Sequence, residues 1–323
     1  MRVVVYGVGA IGGTLAAALA DAGFPVIGIA RGRQLDAIRK DGLTLRSPDR
    51  VIHARFDCVA APSDIDFAPD DAILLTMKSQ DTMAALQDLR AAGVDNQPIF
   101  CAQNGVANEA MAARIFPNVH GICVMMPSSF VEPGQVVCSA TPKLGMFDIG
   151  RYPSGHDHAD TALATALDAA GVKSFVQDCV MDSKYGKLLL NLNNIIDAAL
   201  GAGVATGDLS DRIRDEGRQV LRAAGIPWRE VGGSDPRRKE FVQQRPVDGA
   251  ARVGTSTSQS LARGTGSVET DFLNGEIALI ARQAGIAAPM NAAAQRLSAR
   301  LVRDGAQPGA MSLAALTGLL TAE

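Results

Sequence analysis

The chain has 323 residues, a formal net charge of −3 and only 4% aromatic residues. That length is enough for two domains. The absence of a basic excess and the scarcity of rings argue against nucleic acid as the main partner. Outside the N-terminal stretch no uninterrupted apolar span is long enough for a bilayer, which argues against a membrane partner.

In chain order, Arg2-Val3-Val4-Val5-Tyr6 is an apolar, β-branched run. Gly7-Val8-Gly9-Ala10-Ile11-Gly12 follows it, and Thr14 to Asp21 is rich in Ala and Leu. The pattern predicts strand, tight turn and helix, with G-x-G-x-x-G where a dinucleotide-binding fold needs it. Gly7 permits the turn, Gly9 lets the backbone approach a pyrophosphate, and Gly12 lets helix and strand pack closely. The amides from Gly7 to Gly12 and the helix N-terminus then face the phosphates. Residues 3 to 20 also fit a secretory leader, with Ala18-Leu19-Ala20 as a cleavage site. The three spaced glycines favour the turn.

A second strand at 25–30 ends in Ala30-Arg31-Gly32-Arg33, with no acid before Asp36. An NAD site places a carboxylate there for the ribose 2′-hydroxyl. Arg31 and Arg33 suit a 2′-phosphate instead, so the expected cofactor is NADPH/NADP. A helix is predicted from Gln34 to Lys40, then short strands at 43–45 and 51–59. The buried parallel strand 71–77 delivers Lys78-Ser79-Gln80. A helix over 81–92 and a strand over 98–102 lead to Gln103-Asn104-Gly105. Ligands in such sheets sit beyond the carboxyl ends of the strands, where the glycine turn, Arg31, Lys78 and Asn104 all fall.

Short strands and turns fill 119–146, a polar stretch 151–160, a helix 161–170 and a strand 173–177. Beyond Asp178 strand signals fade. The predicted domains are therefore 1–178, doubly wound α/β, and 179–323, all-helical. The segment 181–195 reads as one buried helix with Lys187, Asn191 and Asn194 on one face, at i, i+4 and i+7. A lysine and two amides on a buried helix require partners, and a ligand would supply them. A hydroxyl-rich stretch, 253–260, contains Ser256, Thr257 and Ser258, and a glycine-rich one spans 264–267. Ser267 is a plausible cap for a helix over 268–284, with Glu269 and Asp271 in its first turn. A last long helix is expected over 292–303, and the tail from Gly309 holds one short apolar segment.

Five cysteines (Cys58, Cys101, Cys123, Cys138 and Cys179), odd in number and without C-x-x-C, suit reduced thiols in a cytoplasm. His156-x-His158 lies in a polar stretch and reads as solvated loop, so no metal is expected.

Taken together and in this order, several motifs resemble the ketopantoate reductases. They are Gly7-x-Gly9-x-x-Gly12, Lys78 with Gln80, Asn104-Gly105, Lys187-Leu188-x-x-Asn191, and Glu269-x-Asp271-x-x-Asn274-Gly275 followed by Pro289. The resemblance covers nearly the whole chain. It implies a Rossmann domain, an all-helical second domain and an active site in the cleft between them. The implied activity is NADPH-dependent reduction of a small 2-keto acid, 2-dehydropantoate above all, in pantothenate and coenzyme A synthesis. In the family the lysine matching Lys187 is the general acid. The glutamate matching Glu269 lies beside substrate and cofactor. The asparagine matching Asn104 lies between nicotinamide and substrate, that matching Asn191 binds substrate, and the lysine matching Lys78 touches cofactor. Asn194 and a hydroxyl among Ser256, Thr257 and Ser258 complete the expected substrate contacts.

Two departures fall on that side of the site. Typical members carry a second asparagine where this chain has Ile195, and Ser-Met-x-Gln-Asp where it has Thr257-Ser258-Gln259-Ser260-Leu261. They leave open a D-2-hydroxyacid dehydrogenase acting on another keto acid. A non-catalytic NADP-binding regulator is the reading from another class, and retention of both Lys187 and Glu269 argues against it. Assembly is left open, a homodimer included.

Overall fold

A computed structural model describes residues 1–249, 254–264 and 266–321. Val253 and Thr265, within the hydroxyl-rich and glycine-rich stretches, lie outside the described residues. The chain begins β1 (Val3–Tyr6), α1 (Ala10–Asp21), β2 (Val26–Ile29), α2 (Gly32–Asp41), β3 (Leu43–Arg46), β4 (Val51–Ala54), β5 (Asp57–Val59) and β6 (Ala72–Leu75). It continues with α3 (Thr82–Ala91), β7 (Ile99–Cys101), α4 (Asn108–Ala113), β8 (Val119–Met125), β9 (Ser128–Glu132), β10 (Gln135–Cys138), β11 (Ala140–Pro142), β12 (Gly145–Arg151), α5 (His158–Ala169) and β13 (Val172–Val176). After these come α6 (Val180–Asn191), α7 (Asn194–Leu200), α8 (Leu209–Ala223), α9 (Pro236–Phe241), β14 (Val242–Gln244), α10 (Ser256–Ala262), α11 (Asn274–Gln283), α12 (Pro289–Arg303) and α13 (Leu313–Thr321).

The apolar runs near the N-terminus form the centre of an eight-stranded sheet, ordered β13-β12-β8-β7-β6-β1-β2-β5. Neighbours are parallel except β8 and β12. Residues of β1, β6 and β7 are almost wholly buried, as unbroken Val/Ile/Leu runs require in a covered parallel sheet. A four-stranded sheet, β4-β3-β10-β9, packs near α1. The expected strand 51–59 is broken between Ala54 and Asp57, and its halves join different sheets.

The chain divides into two compact units. The first holds Met1–Asn104, Asn108–Lys184 and Glu230–Ala250, and the second holds Gly105–Ala107, Tyr185–Arg229 and Ala251–Glu323. The division falls within α6, and it gives 179–184 and 230–250 to the first unit, where the sequence reading places them in the second. The physical cause for the later segment is specific. β14 pairs antiparallel with β11, and the Arg237 guanidinium on α9 donates to both Asp148 oxygens, at 2.8 and 3.2 Å. Asp148 is 3% exposed on β12 and also accepts from the Ser183 hydroxyl at 2.7 Å. Arg237 further bonds Asp235 and lies over the Phe175 ring, 4.9 Å from its centroid. Burial pushes the Asp235 carboxyl up, but hydrogen bonds from Arg237 and its charge outweigh that and hold it below the usual range.

A second buried charge cluster ties α6 to β7 and α4. The Lys184 ammonium, 3% exposed, pairs with the fully buried Glu109 and donates to the carbonyls of Cys101 and Gln103 at 3.2 and 3.1 Å. These two carbonyls flank Ala102 at the end of β7. The ammonium therefore fixes the strand end that leads to Asn104.

In the second unit the expected helix over 181–195 is interrupted. α6 ends at Asn191 and α7 begins at Asn194, so Asn194 does not continue the face of Lys187 and Asn191. Three asparagines within four positions account for the break, because their amides compete with the backbone. The carbonyl of Leu192 at the interruption accepts from buried Asn274 Nδ2 at 3.1 Å. Asn274 also donates to Asn291, whose amide donates to Glu216 at 2.9 Å. Gly217 of α8 admits Leu189 and Leu192, which a Cβ would meet at 2.9 and 2.7 Å. Ser267 does not cap the following helix. A 3₁₀ turn, Glu269–Phe272, is entered from Val268, and α11 starts only after Leu273. α12 begins earlier than expected, at Pro289, a favoured first helical residue. Likewise α5 begins at His158, because Asp157 and Asp160 form a capping box.

Two stability outcomes follow. Arg237→Leu leaves Asp148 and Asp235 buried without their cation and should cost about 3–5 kcal/mol in urea unfolding at pH 7. The folded Asp235 value is depressed, so its contribution is complete above the unfolded value of about 3.9 and is lost as pH falls through the folded one. The gap between variant and wild type should therefore narrow below about pH 4; a gap constant from pH 7 to 3 contradicts the assignment. Lys184→Met alone should cost about 3–5 kcal/mol, and adding Glu109→Leu should restore most of it, because the orphaned carboxylate is then gone.

Candidate active site

The glycine turn is dictated by lack of space. Gly7 has φ +105°, and a Cβ on it would lie 2.8 Å from the Met77 nitrogen. A Cβ on Gly12 would lie 2.3 Å from the Gly7 carbonyl and 2.4 Å from Thr76 Oγ1. That hydroxyl donates to the Gly7 carbonyl at 2.8 Å and so joins the end of β6 to the turn. Gly9 differs: a Cβ there would meet nothing nearer than the Gly7 carbonyl at 4.0 Å. The chain's own packing does not demand glycine at this position, whereas a close ligand would. Gly9 is also the N-cap of α1, and no side chain caps that helix. The first amides of α1 thus have no N-cap side chain to accept from them, which suits a pyrophosphate. These residues fit a dinucleotide.

Val8 is buried, and its carbonyl accepts from Gln34 Nε2 at 2.9 Å. Gln34 Oε1 accepts in turn from the Gly134 amide at 2.8 Å, clamping the turn to the β9–β10 connection. Arg31 follows β2 with its side chain 74% exposed, and its Nη2 lies 4.0 Å from Asp88 Oδ2. Lys78 is partly buried between β6 and a 3₁₀ turn, Ser79–Asp81.

Asn104 is partly buried and its backbone is held firmly. Its carbonyl accepts from Ser79 Oγ at 3.3 Å and from Asn108 Nδ2 at 3.0 Å. Asn108 also bonds Thr82 at 2.8 Å, and Thr82 accepts from Gln103 Nε2 at 2.7 Å. Neither bond to Asn104 uses its side-chain amide. Gln34, Thr76, Ser79, Thr82 and Asn108 are residues that sequence reasoning missed. Each is a polar side chain beside a motif, the one available signal.

In the second unit Lys187 and Asn191 occupy successive turns of α6, both partly buried. Asn191 Nδ2 is buried and lacks a hydrogen-bond partner among the described residues. Such an orphan calls for an explanation, and a ligand oxygen would satisfy it. The three candidate hydroxyls part company. Ser258 is buried and donates to Asp197 at 2.8 Å, fastening α10 to α7. Asp197 also accepts from the Thr255 amide at 3.1 Å, and Thr255 caps α10. Thr257 is buried. Ser256 is exposed, with Asn194 Nδ2 3.5 Å from its hydroxyl. Ile195 is 1% exposed in the core, so the second family asparagine has no substitute at that position. Glu269 is partly buried in its 3₁₀ turn.

His120, Asp157 and Asp160 bring ligand atoms within 4.8 Å of one another. All three already have partners: His120 Nδ1 meets Asp160 at 2.8 Å and its Nε2 meets Asn118 at 2.9 Å, while Asp157 accepts from Arg151 at 2.7 Å. Asp157 and Asp160 form the start of α5, and His120 of β8 holds Asp160 there. His156 Nδ1 lies 2.8 Å from Asp178, in an exposed pair.

Comparison with known proteins agrees across both units. The profile described as ketopantoate reductase PanE/ApbA matches residues 3–153, and that of its C terminal matches residues 180–301. A 2-dehydropantoate 2-reductase of Pyrococcus horikoshii is 27% identical over 300 residues, covering 90% of this chain and 94% of its own. A solved PanE/ApbA family ketopantoate reductase from Ralstonia eutropha JMP134 is 28% identical, with a TM-score of 0.76 over 94% of this chain and 99% of its own. D-mandelate dehydrogenase, solved with NADH and anilino(oxo)acetate, shares the fold at 20% identity, with a TM-score of 0.76 over 98% of this chain and all (100%) of its own. With both profiles in order along the chain, and the glycine turn and the Lys187 helix inside them, this protein belongs to the PanE/ApbA ketopantoate reductase family.

Proposed function

We propose that this chain reduces 2-dehydropantoate to D-pantoate with NADPH, the reductive step of pantothenate synthesis. The observation that carries the reading is the buried Asn191 Nδ2, without a hydrogen-bond partner among the described residues and one turn beyond Lys187, in a chain matched by the family at both ends. Bound NADPH supplies the reducing equivalent for the 2-keto carbon. The amides of α1 and the glycine turn hold its pyrophosphate, and Arg31 takes the 2′-phosphate. Asn104, on its fixed backbone, orients nicotinamide and substrate.

As the carbonyl is reduced, negative charge grows on its oxygen. Lys187, as an ammonium, donates a hydrogen bond to that oxygen and then its proton. Glu269 is assigned to the same reacting group, where its negative charge would favour the charged amine before transfer. Asn191 and the Asn194–Ser256 pair hold the substrate's remaining oxygens. Ser258 serves Asp197 and takes no direct part. Free cysteines, four of the five buried, support a reducing cytoplasm as the setting.

Ile195 in the core supports a second reading, reduction of a different 2-keto acid, because an expected polar contact is missing. A panel of 2-keto acids with NADPH, followed by loss of absorbance at the nicotinamide band, separates the two. Turnover of 2-dehydropantoate above the others supports the first reading, and preference for another acid supports the second. Lys187→Ala should lower kcat by about 10²–10⁴ while NADPH still binds. Turnover close to wild type would remove Lys187 from the chemistry.

A further inference from the structure

We propose that Asp88 is a specificity-determining residue of the nucleotide site, setting the balance between NADP and NAD in opposition to Arg31. The inference rests on the assignment of Arg31 to the 2′-phosphate. Asp88 lies on α3, and its Oδ2 is 4.0 Å from Arg31 Nη2. The same oxygen accepts from the Tyr6 hydroxyl at 3.2 Å. Tyr6 is the last residue of β1, directly before Gly7, and its ring is buried. The carboxylate is therefore tied to the strand that carries the glycine turn. It cannot swing clear of Arg31 at no cost, as an untethered surface acid could.

Two consequences follow from charge alone. A 2′-phosphate reaching Arg31 must share its guanidinium with Asp88 and meets a fixed like charge nearby. A 2′-hydroxyl meets no such repulsion and has a donor to offer a carboxylate. Asp88 therefore weakens NADPH binding and leaves NADH binding equal or stronger. Arg31 does the reverse. Side-chain exposures of 74% for Arg31 and 52% for Asp88 make the influence of that charge sensitive to salt.

Asp88→Asn tests this cleanly, because the amide keeps an acceptor oxygen for the Tyr6 hydroxyl. Binding of NADPH and NADH to the full chain, without keto acid, is followed by titration calorimetry at low and high salt. The expected result is a Kd for NADPH lowered by roughly three- to tenfold, a Kd for NADH unchanged or raised, and a smaller NADPH effect at high salt. An NADPH affinity that is unchanged, or moves by the same factor as that of NADH, overturns the proposal. Arg31→Gln separates the inference from its foundation. If Arg31→Gln weakens NADPH selectively while Asp88→Asn does nothing, Asp88 alone loses its role. If Arg31→Gln leaves NADPH and NADH binding as in wild type, the phosphate assignment falls and the inference with it.

Discussion

At Gly12 the first helix passes its strand and the neighbouring loop with no room for a single carbon. A methyl group there would overlap both the Gly7 carbonyl and the Thr76 hydroxyl. That closeness lets Thr76 bond the turn and lets Met77 pass beneath Gly7. It also brings the start of α1 to the carboxyl edge of the sheet. Arg31 and Lys78 emerge at that same edge, after β2 and β6. The polar side chains around it, Gln34 from one side and Thr76 from the other, hold a shape that the glycines only permit.

The same logic extends to Asn104. Nothing about an asparagine at a strand end makes it precise. Its backbone is pinned by Ser79 and Asn108, and the strand before it by a buried ammonium. Burying Lys184 with Glu109 gains little stability over an apolar pair. It does fix two carbonyls at once, which an apolar side chain does not do. Asn274 performs a comparable service in the helical unit, where its amide takes the carbonyl at the break between α6 and α7.

Local signals carried most of the fold. The apolar runs of β1, β6 and β7 and the glycine turn are legible because their cause lies within a few residues. The break after Asn191 was half legible: the asparagine cluster is visible, but whether a helix tolerates it depends on Asn274, 82 residues away. The roles of Ser256, Thr257 and Ser258 were illegible, since only contact with Asp197 distinguishes the second serine from the first. Ser267 looked like a cap because Glu269 and Asp271 follow it. The backbone at Leu273, with φ −117° and ψ −90°, divides that segment into a short turn and a later helix. The return of 230–250 to the first unit had no local trace, because its cause is an arginine meeting an aspartate 89 positions earlier.

That return has a consequence for how the molecule is made. Synthesis runs from the N-terminus, so the eight-stranded sheet emerges from the ribosome with Asp148 buried beside β13 and no arginine to answer it. The partner is not translated until the first helices of the second unit already exist. The nucleotide-binding half is therefore finished late, by a segment threaded through its neighbour's sequence. A fragment cut after β13 or α6 keeps Asp148 without its cation, which is why the two halves are better regarded as one folding problem than as separable modules.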